Sequence, residues 1–181
     1  MAFDITFSLN DSDLVYFKDV MRKASHSAAN LDEQSILDKV KALSGDVKKG
    51  VPEFVVQRLH QLDTLVSMVE DVEWQIPAEE RKDVISALAY FGNPTDLIPD
   101  HIPALGFLDD AIMIELVVSD LRDNIDAYAE FCEYRQREKS RRDPATITTG
   151  DWLEAKRKEL HNRMYRRRSS SRSGSASFRI F

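Results

Sequence analysis

Apolar residues recur at helical spacing along most of this chain. Leu14, Phe17, Val20 and Met21 follow Asn10-Asp-Ser-Asp13, whose side chains suit a helix start, and predict a first helix from about Ser12 to Ala24. A second begins at Leu31, with Asp32 and Glu33 near its positive end, Ile36, Leu37, Val40 and Leu43 as its stripe, and Gly45 as its stop. Pro52 opens a third, expected to reach Glu73, in which Val55, Leu59, Leu62, Val66 and Val69 step by four and three. Leu65, Met68 and Val72 widen that stripe, as for a helix in the middle of a bundle. Trp74-Gln-Ile-Pro77 ends it, because Pro77 disfavours helical geometry in Ile76. Glu79 and Glu80 begin a fourth helix that buries Val84, Ile85, Leu88 and Phe91 and closes at Gly92-Asn93-Pro94. A fifth starts near Phe107 and continues to about Arg137, a rod of about 45 Å. Along it Ala111, Ile114, Val118, Leu121, Ile125, Tyr128 and Cys132 alternate steps of three and four, a heptad-like seam.

The two ends read differently. Phe3, Ile5, Phe7 and Leu9 alternate with polar residues, the period of an extended arm that lies on the helices or pairs with its own copy across a dimer. Arg141-Arg142-Asp-Pro144 and Thr148-Thr-Gly150 interrupt the helical pattern, after which Asp151 caps a short basic helix to about Tyr165 with Trp152, Leu153 and Leu160 on a weak apolar face. From Arg166 the chain is rich in Arg and Ser and lacks core-forming residues until its Phe178-Arg-Ile-Phe181 tip, so disorder is expected. The expected fold is all-α: a compact bundle of about five helices with a Pro- and Asp-rich structured corner between helices four and five, plus a basic tail. Residues 1–142 form the helical domain, 143–165 the short basic helix and 166–181 the tail.

Charge divides along the chain. Residues 1–134 carry 11 Lys and Arg against 26 Asp and Glu, a net −15, whereas residues 135–181 carry 14 against 5, a net +9. An acidic body disfavours phosphate binding by the folded core. The tail arginines Arg166, Arg167, Arg168, Arg172 and Arg179 are the candidates for weak polyanion binding. Cys132, the single cysteine, excludes an internal disulfide and reads as a small buried apolar residue. Met-Ala-Phe-Asp-Ile-Thr-Phe lacks the basic start and apolar run of a secretory signal, and the apolar stretch from Ala111 to Val118 is interrupted by Glu115, so a cytoplasmic protein with no transmembrane segment is expected.

The segment from Tyr90 to Asp110 is the most unusual part of the chain. It packs prolines, glycines and aspartates into an apolar link longer than a plain helix connection requires, which suggests ordered structure. Asp96-Leu-Ile-Pro-Asp100, Ile102-Pro103, Gly106 and Asp109-Asp110 resemble the signature of the YkvA-like family, a bacterial domain of unknown function. The signature residues are Asp96, Pro99, Asp100, Pro103, Gly106, Asp109 and Asp110, within residues 84–120. Flanks such as Pro52-Glu-Phe-Val and Glu70-Asp-Val-Glu-Trp74 are similar to soluble proteobacterial members. The resemblance supplies no reaction, substrate or catalytic residue.

Four carboxylates in this segment, Asp96, Asp100, Asp109 and Asp110, are the candidate ligands for a hard cation such as Mg²⁺ or Ca²⁺. Capping is preferred. Asp109 and Asp110 fall in the first turn of a helix, where acids offset unpaired N–H groups and the dipole, and adjacent helical side chains point about 100° apart. Asp96 and Asp100 suit turns beside Pro94 and Pro99. His101 lies in the segment without a serine, cysteine or lysine beside it, His26, His60 and His161 are scattered, and His60 is expected on a helix surface. No phosphate loop, nucleophile elbow or zinc pattern is present, the catalytic residues are unknown and no cofactor is expected. The preferred function is a non-enzymatic interaction or scaffold module with protein partners. The alternatives are an enzyme or sensor using a divalent ion on the Asp cluster, and a nucleic-acid or anionic-membrane adaptor working through the tail.

Overall fold

The computed structural model describes residues 8–27, 32–45, 53–92, 108–141 and 150–173. These residues form seven helices and no strand: α1 (Asp11–Ser27), α2 (Glu33–Gly45), α3 (Glu53–Glu70), α4 (Ala78–Gly92), α5 (Leu108–Asp120), α6 (Arg122–Arg141) and α7 (Gly150–Ser173). The all-α class agrees with the sequence pattern. The extended arm at residues 1–7 and most of the corner, residues 93–107, lie outside the described residues.

Asn10 starts α1. Its side-chain oxygen accepts the N–H groups of Ser12 at 2.9 Å and Asp13 at 3.2 Å, while Asp13 Oδ2 accepts the Asn10 N–H at 2.9 Å. This reciprocal cap satisfies donors that the helix leaves over, an arrangement worth about 1 kcal/mol.

α3 occupies the middle of the bundle, touching α2, α4, α5 and α6. Its broad stripe explains the position: Val55, Leu59, Leu62, Leu65, Val66, Met68 and Val69 are all buried. Around it, α2 contributes Ile36, Leu37 and Val40, α4 Val84 and Leu88, α5 Met113, Ile114 and Val117, and α6 Phe131. Each such side chain stabilises by about 1.5–3 kcal/mol on leaving water. α1 packs on α4.

Three expectations need correction. The first concerns the helix count of about five and the single rod from Phe107 to Arg137. Their seam is divided at Leu121, whose carbonyl accepts the N–H groups of both Asn124 and Ile125 at 3.0 Å, so the turn tightens between α5 and α6. α5 then packs on α3, and α6 on α3 and α7. Heptad spacing reports which side faces the core and is silent on where one helix gives way to the next. Leu121 remains buried, Ile125 and Cys132 only partly so.

The second concerns the end of α3, at Glu70 rather than Glu73. Asp71 Oδ1 accepts the N–H groups of Glu73 at 2.9 Å and Trp74 at 3.1 Å, pulling the chain into a turn that leaves Gln75 at φ 50°. Val72, expected in the stripe, is therefore 82% exposed.

The third concerns the basic C-terminal region. α7 runs for 24 residues, so Arg166, Arg167 and Arg168 belong to a helix rather than to the start of a disordered tail. Its arginines find acids on other helices, which repays an ordering cost that composition alone cannot.

Candidate functional site

Two polar constellations are built by the fold, and both join α7 to the rest of the molecule. The first surrounds the turn after α3. Asp71, with its side chain 10% exposed, places Oδ2 2.8 Å from Arg135 Nη1 and 3.0 Å from the Tyr128 hydroxyl, which donates to it. Arg135 also pairs with Glu73 at 2.8 Å, and Lys139 lies at 3.4 Å from the same carboxylate. Burial alone raises the Asp71 pKa, but hydrogen bonds from the Trp74 N–H, Arg135, the Glu73 N–H and Tyr128 together hold it below the ordinary carboxylate value. Burial, Cys132 and Asp71 push the Tyr128 phenol up, as a donor to an anion requires.

Trp74 fills the space inside this turn. Its indole is fully buried among Tyr128, Phe131 and His161, with ring centroids 5.7, 5.1 and 4.5 Å away. α7 supplies His161, and also Arg157, whose Nη1 donates to the Glu73 carbonyl at 3.0 Å. Burial and the neighbouring Arg157 cation push His161 down to about 4, against a backbone hydrogen bond at Trp74 that favours the charged form. The imidazole is thus neutral at pH 7. Nothing in the sequence pattern distinguished His161 from the other scattered histidines.

The second constellation lies at the start of α4. Glu80 is 3% exposed, and its Oε1 stands 3.3 Å from Arg168 Nη1, while Arg168 Nη2 pairs with Asp83 Oδ2 at 3.0 Å. Arg167 pairs with Asp123 at 2.6 Å. A small cavity of about 30 Å³, room for one water-sized group, is lined by Glu80, Asp83, Asp120, Asp123, Asn124 and Arg168 among others. Glu80 Oε2 has no hydrogen-bond partner. Further along α7, Lys156 and Arg163 hold Glu130 at 2.7 and 2.5 Å and keep its pKa low. The acidic body and the basic C-terminal region, separate in the sequence, neutralise each other here.

Of the four candidate cation ligands, Asp109 and Asp110 stand in the first turn of α5, Asp109 buried and Asp110 half-buried. Asp96 and Asp100 lie outside the described residues, as do Pro99, His101, Pro103 and Gly106. Among the described residues no three His, Cys, Asp or Glu side chains form a group able to hold a metal ion. Of the polyanion candidates, Arg167 and Arg168 are committed to internal carboxylates, Arg166 is exposed on α7, the Arg172 side chain is not described and Arg179 lies outside the described residues. His60 is 73% exposed on α3, 3.7 Å from Asp63. No described helix is long and apolar enough to cross a membrane.

Residues 84–116, from α4 into α5, match the family described as Protein of unknown function (DUF1232). The chain carries a DUF1232 segment. Comparison with curated proteins and with solved structures gave no match. The described part of the DUF1232 segment is mostly core: Val84, Ala87, Leu88, Ala89, Tyr90 and Phe91 on α4 are buried, as are Asp109, Ala111, Met113, Ile114 and Leu116 on α5. Among them only Glu115 is exposed on α5, and its carboxylate pairs with Arg58 of α3 at 3.2 Å.

Proposed function

We propose that this protein is a non-enzymatic interaction module, in which the DUF1232 segment shapes the bundle and the acidic surface takes up basic helices. The observation that carries this reading is the docking of α7. A helix with Arg157, Arg163, Arg167 and Arg168 is held by the Glu73 carbonyl, Glu130, Asp123, Glu80 and Asp83, so the body already performs recognition of a basic helix within one chain. The buried side chains of the DUF1232 segment support a shaping role for it. The polar clusters after α3 and on α6 and α7 bridge elements, and His161 sits neutral edge-on to Trp74, with a backbone hydrogen bond at Trp74 and its Nε2 buried without a partner. The adaptor alternative loses two of its five candidate arginines to internal partners.

The full-length chain serves as bait in its native host, followed by reconstitution with the purified partner. The expected result is a protein that binds in a defined ratio by calorimetry, more weakly as salt rises. A small-molecule turnover that requires Asp96 or Asp100 and a divalent ion would instead establish the enzyme alternative.

A further inference from the structure

We propose that the pocket at Glu80 is an arginine-binding site, occupied here by Arg168, which accepts an arginine from a partner peptide segment when the end of α7 lifts. This deepens the interaction-module reading and rests on it.

Burying a carboxylate is costly unless a cation and hydrogen-bond donors replace the lost water. Glu80 is buried at the beginning of α4, and the group opposite it is a guanidinium, whose planar fork matches carboxylates better than an ammonium does. Arg168 bridges Glu80 and Asp83 with one nitrogen on each, and Glu80 Oε2 is buried without a hydrogen-bond partner. Arg168 meets both Glu80 and Asp83, so the pocket recognises a guanidinium by charge and by the shape of its fork.

The occupant sits on the last turns of its helix. Met164 is the last residue of α7 buried in the core, and Tyr165, Arg166, Arg167 and Ser169 beyond it are exposed. The end of the helix is tied to the body by Arg167 on Asp123, with both side chains about half exposed, and by Arg168. The exposed Arg167–Asp123 pair holds weakly, the Arg168–Glu80 pair is the stronger tie, and helix ends open far more often than the core they extend from. Lifting the segment after Met164 breaks these ion pairs and withdraws none of the described core side chains, while Leu153, Leu160 and Met164 keep the rest of α7 in place.

The test uses the full chain and a fluorescent peptide with the sequence of residues 165–173, its binding read by anisotropy at physiological salt. Arg168→Ala is expected to bind the peptide about tenfold or more tightly than wild type does, because the tethered competitor is gone. A peptide with every arginine replaced by lysine should bind at least about tenfold more weakly, and adding Glu80→Gln to Arg168→Ala should return binding to the wild-type level. Equal affinity of wild type and Arg168→Ala, equal binding of the lysine peptide, or binding that survives Glu80→Gln would each overturn the proposal and reduce the effect to general charge attraction. Where Glu80→Gln fails to give native helical circular dichroism, Asp83→Asn, at the more exposed carboxylate of the pair, takes its place. Host-partner capture that persists in the Glu80→Gln protein overturns the arginine site alone. Absence of any partner overturns the module reading, and the peptide result is independent of it.

Discussion

The imidazole of His161 stands edge-on to the buried indole of Trp74, with ring centroids 4.5 Å apart at an interplanar angle of 81°. It links the turn after α3 to a helix more than eighty residues further along the chain, and it does so as a neutral group. The pKa falls from 6.5 in the ordinary case to about 4. A base with a depressed folded pKa binds fewer protons folded than unfolded, so stability is full above pH 6.5, declines as pH falls from 6.5 towards 4, and levels off below. Asp71, whose folded pKa is lowered from 3.8, acts in a separate window: its contribution is present above that value and is lost at lower pH. Denaturant titrations of wild type and His161→Phe across this range should show the slope between pH 6.5 and 4 in wild type and a flatter profile in the variant. Equal slopes would mean that His161 is solvated and free to charge.

Leu121 marks the tightened turn between α5 and α6 and is 4% exposed. Leu121→Ala is expected to destabilise by about 2–5 kcal/mol through lost transfer energy and the cavity left behind. Ile125, half-buried one turn later, should cost less on the same change. A midpoint of chemical denaturation unchanged by Leu121→Ala would place that side chain in solvent and remove the tightened turn from the core.

Truncation after Tyr165 tests the docked end of α7. By composition these residues are dispensable, yet removing them takes Arg168 from Glu80 and leaves a carboxylate buried without its cation. A loss of about 3 kcal/mol is expected, with much of it regained when Glu80→Gln removes the uncompensated charge. Salt should act in the same direction on the intact chain, increasing hydrogen exchange towards the end of α7 before it affects α3. A truncated protein as stable as wild type would show that Arg168 contributes nothing to the fold.

At the acidic corner, Asp109→Asn is expected to be mild and Asp109→Ala to cost about 1 kcal/mol, since asparagine still accepts a bond at a helix start. The same order should hold for Asp96 and Asp100, with melting unchanged by Mg²⁺, Ca²⁺ or chelator. If these aspartates hold a cation, asparagine removes charge the ion needs, its cost approaches that of alanine, and added ion raises the melting temperature by mass action. A calorimetric divalent site lost on Asp96→Asn or Asp100→Asn would overturn the capping assignment.

Local spacing alone was enough for the all-α class, the central place of α3, a helix start within Asn10–Asp13 and the family resemblance: apolar residues every three or four positions, polar side chains before the first turn, prolines and aspartates at fixed intervals. Folding in three dimensions added that the seam from Ala111 to Cys132 is divided at Leu121, that Val72 leaves the core, that His161 rather than another histidine meets Trp74, that Asn10 is the residue capping α1, and that Arg168 reaches Glu80. Periodicity reports one helix face at a time and does not carry the angle between successive helices. Charge composition, likewise, told of an acidic body and a basic end without saying whether they would meet. Their pairing depends on α7 folding back along α6, a choice made by Leu153, Leu160 and Met164 finding burial there, with the ion pairs following from where that burial put the arginines.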